Sequence, residues 1–231
     1  LMRALASAVA DLLFPPRCEA CLELLATGAA ATPSLALCGP CLATIERVED
    51  PCERCGQPGM AGGCTSCERR PPTWDRAQAV YVYGGAVADM LHRFKYEDQP
   101  ALARPLAERL ARVDAGVVDV VAPIPLSTRR RLGRTYDQAL LLARELASLR
   151  GLRFEGALLR RVRHTGRQVD RRRDERQENV RGAFRLAGEV HGLSVLLVDD
   201  VVTTGATAGE CARLLKEGGA RRVEVVSVAR A

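Results

Sequence analysis

The sequence predicts an α/β protein: a parallel sheet with helices on both faces, preceded by a small Cys-rich module. Three observations lead there. Short, uniformly apolar runs alternate with longer stretches of helical periodicity from residue 77 onward. Strands buried on both faces read in this way, because helices cover both sides of a parallel sheet. Eight of the nine cysteines fall in four C-x-x-C pairs, all before residue 68. Aromatic residues make up only 4% of a chain that is 47% hydrophobic, so the core has to be built from Leu, Val and Ala.

The elements follow in order. Residues 77–83 (AQAVYVY) read as a strand, and 87–96 and 101–112 as helices. The β-branched run 117–121 reads as a second strand, ending in Pro123, Ile124 and Pro125. Leu/Ala periodicity predicts a helix over 136–149. A strand at 195–198, a helix at 205–216 and a last strand at 223–228 complete the pattern. At 231 residues the chain has room for one ordinary α/β domain plus a small module, divided here at 1–75 and 76–231. At the N-terminus, Leu5, Val9, Leu12 and Leu13 share one face of a short helix that Pro15 and Pro16 end. Asp11 interrupts the apolar stretch there, and no run reaches the ~18 residues of a membrane span. A cytoplasmic location is expected.

The cysteine pairs are Cys18/Cys21, Cys38/Cys41, Cys52/Cys55 and Cys64/Cys67. A C-x-x-C turn aims two sulfurs at one metal, and two such turns complete a tetrahedral thiolate site. Sixteen residues separate the first two pairs, inside zinc-ribbon range, and eight separate the last two, which suits a smaller knuckle. Two structural Zn²⁺ sites formed by consecutive pairs are the reading adopted. Interleaved pairs and an iron–sulfur cluster are the alternatives. Four thiolates leave no open position, so the role is structural. Cys211 stands alone in a helical pattern and reads as a core residue.

The chemistry concentrates after the strand at 195–198. Asp199 and Asp200 are followed by Thr203, Thr204, Gly205, Ala206 and Thr207, and then by a helix. Small residues at a helix N-terminus let backbone N–H groups approach an anion, and the helix dipole favours its charge. Such a cradle suits a phosphate monoester. Two carboxylates beside it repel phosphate and suit sugar hydroxyls or a divalent cation. A phosphate and then ribose hydroxyls, in that order, is one face of a 5-phosphoribosyl group. A capped helix with turn-forming Asp and Thr is the bland alternative, and it accounts for only part of the motif. Walker A and dinucleotide fingerprints are excluded for lack of the required Gly and Lys residues. The net charge of +6 is uneven: residues 160–181 hold nine Arg against Asp170, Asp174, Glu175 and Glu178, a local +5 that suits a phosphate-rich partner.

This motif resembles the signature of type I phosphoribosyltransferases. The whole chain is similar to the ComF/GntX family of double-zinc-ribbon, phosphoribosyltransferase-like proteins. The similarity runs through the four C-x-x-C pairs, Leu13-Phe14-Pro15, residues 92–96 (HRFKY), 122–126 (APIPL) and 134–144 (RTYDQALLLAR). It continues through Thr165, Gln168, Arg176, Asn179, residues 182–184 and the loop at 199–207. The chain departs from the family at Thr135, Tyr136 and Asp137, where Gly, Phe and Asn are usual, and at Arg171, where Leu is usual.

The resemblance implies binding of 5-phosphoribosyl 1-diphosphate (PRPP) or a related nucleotide with Mg²⁺. It implies that residues 203–207 hold the 5-phosphate and that Asp199 and Asp200 hold the ribose hydroxyls. Backbone amides of the turn at Pro123, Ile124, Pro125 and Leu126 would face pyrophosphate. The 160–181 segment resembles a loop closing over the site, with Arg173 and Arg176 neutralising the leaving group. Lys95 is a further ligand candidate. His92 and His164 are acid/base groups by type alone.

Two functional readings follow. One is a phosphoribosyltransferase, or a sensor of PRPP or nucleotides, with an unidentified acceptor. The other is implied by family members associated with natural competence: contact with single-stranded DNA and the uptake machinery, with the PRPP site regulatory. The scarcity of aromatic stacking groups weighs against the second. A scaffold with a vestigial site is a third, and a dimer is allowed for.

Overall fold

The computed structural model describes residues 15–25, 35–126, 135–162 and 180–231. The expected N-terminal helix therefore lies outside the described residues. Two short helices, α1 (Gly39–Ala43) and α2 (Thr65–Arg69), belong to the Cys-rich part. They are followed by β1 (Arg76–Val82), α3 (Gly85–Tyr96), a 3₁₀ turn (Pro100–Leu102), α4 (Ala103–Leu110), β2 (Val120–Pro123), α5 (Gln138–Arg150) and β3 (Arg153–Phe154). Then come β4 (Leu159–Arg161), β5 (Phe184–Leu186), β6 (Ser194–Val202), α6 (Ala206–Glu217) and β7 (Arg222–Arg230).

Five strands form a sheet in the order β1-β7-β6-β2-β3, every neighbour parallel. Strands β4 and β5 form a separate antiparallel pair. Side-chain alternation along a strand divides the apolar residues between two faces. Val121, Leu196, Val198, Val226 and Val228 pack against α3, α4 and α5 through Met90, Leu91, Phe94, Leu106 and Leu142. Val120, Ala122, Val195, Leu197, Val223 and Val225 face the other way, against Ala208, Cys211, Ala212 and Leu215 of α6 and against Phe184 of β5. Cys211 is thus a buried core residue.

Local chemistry sets the helix ends. Asp137 caps α5, its carboxylate accepting from the Leu140 N–H at 3.0 Å, and Gly151 ends that helix in the left-handed region at φ 63°. The Asp that departs from the family at this position performs a capping role that Asn would fill equally well.

The strands differ from the sequence expectation in three ways. The run at 117–121 enters the sheet only at Val120. Val117 is 77% exposed, because the chain first meets β6 where Asp119 and Ser194 exchange hydrogen bonds. Strand β6 continues past Val198 to Val202, since β7 keeps pairing with it, Asp199 opposite Ser227 and Val202 opposite Arg230. Asp199 and Asp200 therefore lie within a strand. Strands β3, β4 and β5 were not expected from the sequence at all.

The Cys-rich part is stitched to the sheet. Residues 46–48 run antiparallel to β1, with Val82 N donating to Glu46 O (2.9 Å) and Val48 N to Val80 O (3.1 Å). Lower on the same strand, Ala77 N donates to Arg54 O (2.9 Å). The β1 edge, which would otherwise offer unpaired backbone groups, is covered in this way.

Candidate functional site

The cysteines gather in two sets of four, Cys18, Cys21, Cys38 and Cys41, and Cys52, Cys55, Cys64 and Cys67, with the sulfurs of each set within 4.8 Å of one another. Pairing is consecutive. None of the eight is joined in a disulfide. Sulfur separations are 3.7 Å for Cys21–Cys38, 3.6 Å for Cys55–Cys64 and 4.0 Å for Cys52–Cys67. A metal–sulfur bond of ~2.3 Å places tetrahedral sulfurs ~3.8 Å apart, so both sets fit a four-thiolate metal. Burial opposes ionisation of Cys18, yet the N–H groups of Cys21, Cys38 and Ala20 hold its thiol at about 6. Burial likewise opposes ionisation of Cys52, and the N–H groups of Cys55 and Arg54 hold it at about 7. Burial and neighbouring thiols push Cys41 and Cys67 up. Each set thus has one thiol poised to ionise, Cys18 or Cys52, and one, Cys41 or Cys67, that ionises readily only beside a cation. The first set is more accessible: Cys21 is exposed and Cys38 and Cys41 half-buried, whereas Cys52, Cys64 and Cys67 are buried.

The two sets brace different parts of the larger domain. Around the first, Thr44 Oγ1 accepts from Ala86 N at the start of α3 (3.0 Å), and Glu19 O accepts from the Arg93 guanidinium near its end (2.6 Å). Beside the second, Arg54 O accepts from Trp74 Nε1 at 2.8 Å.

At the C-terminal ends of β6 and β2, where parallel sheets place ligands, several expected residues converge. Asp200 is buried at 7% exposure and Asp199 is half-buried. Their carboxylates accept from the next N–H along the chain, Asp199 Oδ1 from Asp200 N (2.8 Å) and Asp200 Oδ1 from Val201 N (2.7 Å). Burial and the adjacent Asp200 carboxylate push the Asp199 carboxyl well above the usual range. Asp200 Oδ2 is ion-paired with Lys95 Nζ, 2.9 Å away. Lys95 is placed there by the end of α3, whose Phe94 carbonyl accepts from Tyr136 Oη and from Gln138 Nε2 (3.1 Å). A buried oxygen of hard character beside a second carboxylate is a donor set that suits Mg²⁺.

Beyond the strand, Thr203 is exposed, Thr204, Gly205 and Thr207 are half-buried, and Ala206 is buried. Gly205 sits at φ 75° as the N-cap of α6 and precedes the first-turn N–H groups that a helix cannot pair internally. Beneath this turn lies Arg230, only 5% exposed, whose guanidinium donates to the carbonyls of Val202 (2.9 Å) and Thr203. It turns those carbonyls inward and sets a positive charge under the loop. The sequence reading missed Arg230, since only the β6–β7 register brings it there. Trp74 was missed too: a Cβ on Gly205 would lie 2.6 Å from its ring.

Other expected residues fare differently. Pro123 pairs with Val198 beside the carboxylates, but Pro123 and Pro125 have no N–H, and that of Ile124 donates to Val198 O (2.9 Å). Of the residues read as facing pyrophosphate, Pro123 and Pro125 therefore offer no amide, and Ile124 offers one already engaged by β6. His92 is exposed, 3.5 Å from Glu97. Arg173, Arg176 and His164 lie outside the described residues. The ends of their segment are joined by β4 and β5, and Gly182 N donates to Glu210 Oε1 of α6 (2.7 Å). Bonding to Arg213 holds the Glu210 carboxyl below its ordinary value.

The family match and the relatives agree with this architecture. The phosphoribosyl transferase domain family matches residues 136–231. DNA utilization protein YhgH of Salmonella typhimurium is 33% identical over 199 residues, 82% of this chain and 88% of that protein. Competence protein F of Haemophilus influenzae is 32% identical over 208 residues, 84% of this chain and 90% of that protein. Among solved structures, the glutamine PRPP amidotransferase of B. subtilis superposes with a TM-score of 0.43 at 25% identity, covering 59% of this chain and 30% of that one. With two four-cysteine sets ahead of a phosphoribosyltransferase-type sheet, and relatives of this similarity along most of its length, the chain belongs to the ComF/GntX family.

Proposed function

We propose that the C-terminal domain, residues 76–231, binds PRPP with Mg²⁺, as a phosphoribosyltransferase or as a sensor of PRPP or nucleotides, and that the Cys-rich module holds two structural Zn²⁺. The observation that carries this reading is one continuous stretch, Asp199 to Thr207, in which a half-buried and a buried carboxylate lead directly into an anion cradle at the start of α6. Residues 203–207 would hold the 5-phosphate above the Arg230 charge. Asp199 and Asp200 would hold the ribose hydroxyls and the cation, with Lys95 balancing one carboxylate. Mg²⁺ held by Asp199 and Asp200 would supply positive charge to stabilise the departing pyrophosphate. In transfer, the acceptor's lone pair forms a bond to C1 as the C1–O bond breaks, and pyrophosphate leaves with the electron pair. Arg173 and Arg176, outside the described residues, would neutralise the leaving group. The protein's part is position and charge. Calorimetric titration with PRPP, with and without Mg²⁺, tests the reading. Binding is expected to require Mg²⁺ and to weaken at least tenfold in Asp200→Asn. A folded, zinc-replete wild type that binds no PRPP overturns it.

The names of the relatives favour a second reading, contact with single-stranded DNA during DNA utilization or competence. Its charge would come from the nine Arg of residues 160–181. Binding to an oligonucleotide should then fall steeply with salt and weaken on replacing Arg171–Arg173 with Ala. Salt-insensitive binding, or none, excludes it.

A further inference from the structure

We propose that Trp74 is a positioning residue that couples the metal state of the second four-cysteine set to the phosphate loop, so that the order of the loop and its affinity for a phosphorylated ligand depend on that set. The proposal rests on the reading of residues 203–207 as a phosphate loop.

The chain of contacts is short. Arg54 lies between two of the four ligands, Cys52 and Cys55, so its carbonyl is aimed by the turn that aims their sulfurs. That turn is closed by Gly56 N donating to Cys52 O at 2.9 Å. The Arg54 carbonyl accepts from Trp74 Nε1 at 2.8 Å. The far edge of the same ring meets the phosphate loop. A Cβ would lie 2.6 Å from the ring at Gly205 and 3.5 Å from it at Gly209, one helical turn further on. Thr73 Oγ1 fixes the approach by donating to Gly209 O at 2.7 Å. With no side chain at either glycine, the indole bears on the backbone of the loop and the first turn of α6. The ring is buried at 9% exposure, so it cannot move off without dragging its neighbours or leaving a void. Loss of metal releases the four sulfurs and leaves Arg54 O held to the sheet by Ala77 N alone, so the turn at 52–55 relaxes and the bond to the buried indole N–H loosens. Among the described residues, the first set has no such route to the loop. Its contacts with the larger domain, through Thr44 and Glu19, go to α3. Coupling of this kind is reciprocal: a ligand on the loop must hold the second metal more tightly by the same factor.

Trp74 is the only tryptophan of the chain, so its emission reports this contact alone. The experiment compares full-length Cys64→Ser and Cys38→Ser, each expected to retain one zinc. Three quantities are read: PRPP affinity with Mg²⁺, Trp74 emission, and amide hydrogen exchange over residues 203–209. Cys64→Ser should shift the emission, speed exchange in the loop and weaken PRPP about tenfold, within the range of ordinary allosteric coupling. Cys38→Ser should leave the emission and the loop exchange near wild type, since its set reaches α3 and not the loop. In wild type, PRPP should slow release of the second zinc to a chelator, and in Trp74→Ala that effect should vanish. Equal effects of the two Cys variants, or unchanged loop exchange in Cys64→Ser, overturn the coupling even if PRPP binds. If wild type binds no PRPP, the preceding functional reading falls, and loop exchange alone decides the coupling. Should Cys64→Ser fail to fold, the release measurement decides: a PRPP effect that survives in Trp74→Ala overturns the proposal.

Discussion

Asp199 and Asp200 place two carboxylates side by side inside a strand, where burial and mutual repulsion both act against charge. The carboxyl of Asp199 is raised in the fold, so it keeps its proton to a higher pH than in the unfolded chain. Its contribution to stability is therefore present below the unfolded value near 4 and is lost as pH rises through the folded value. Asp199→Asn retains an oxygen to accept from Asp200 N and removes the charge. It should raise the melting temperature at pH 8, by about 2–4 °C for each kcal/mol gained, and the gain should shrink toward pH 4. The same variant should bind Mg²⁺–PRPP poorly. Thermal unfolding at several pH values checks this, and a lower melting temperature at pH 8 would refute it. At this scale the sequence revealed what lies close along the chain, from Asp199 to Thr207. It hid Arg230 and Trp74, because each reaches the loop only through tertiary structure, one by strand register and one across the junction with the cysteines.

The long elements with strong periodicity were legible. Helices α3, α5 and α6 fall where the Leu/Ala spacing puts them, and both ends of α5 have recognisable chemistry. The short strands were not. Strand β3 has two residues and β4 and β5 three each, with arginines in all three, too brief for alternation to show. Strand β6 outran its apolar stretch because pairing with β7, not composition, decides where it stops. The departures at Thr135 and Asp137 also become intelligible at this scale, Thr135 bonding to Asp98 and Asp137 capping α5. Asp137→Ala should cost about 1 kcal/mol through loss of the cap, whereas Asp137→Asn should be nearly neutral. Denaturant unfolding of the two variants is the measurement. An equal loss in both would mean that the charge, not the cap, matters.

Over the whole molecule, the four C-x-x-C pairs were readable as metal ligands, but their attachment to the sheet was not, since nothing in 46–48 or 54 signals strand pairing. The difference in exposure between the two sets gives an expected order of events. A chelator should remove zinc in two phases, the more exposed first set releasing ahead of the second. Cys38→Ser should abolish the fast phase, and lower pH should speed both by protonating thiolates. A zinc indicator dye follows the release directly, and a single phase in wild type would contradict the assignment.

The pairing of residues 46–48 with β1 also bears on how this chain can be dissected. A fragment cut just ahead of β1 would carry the complete phosphoribosyltransferase-type sheet and yet expose the amides and carbonyls of Val80 and Val82 on an open flank. Such a flank is a template for another strand, so the fragment is inclined to recruit one from a second copy. The cysteine module therefore acts as a built-in stopper against self-association, and the two parts are better regarded as one folding unit than as a domain with a detachable accessory.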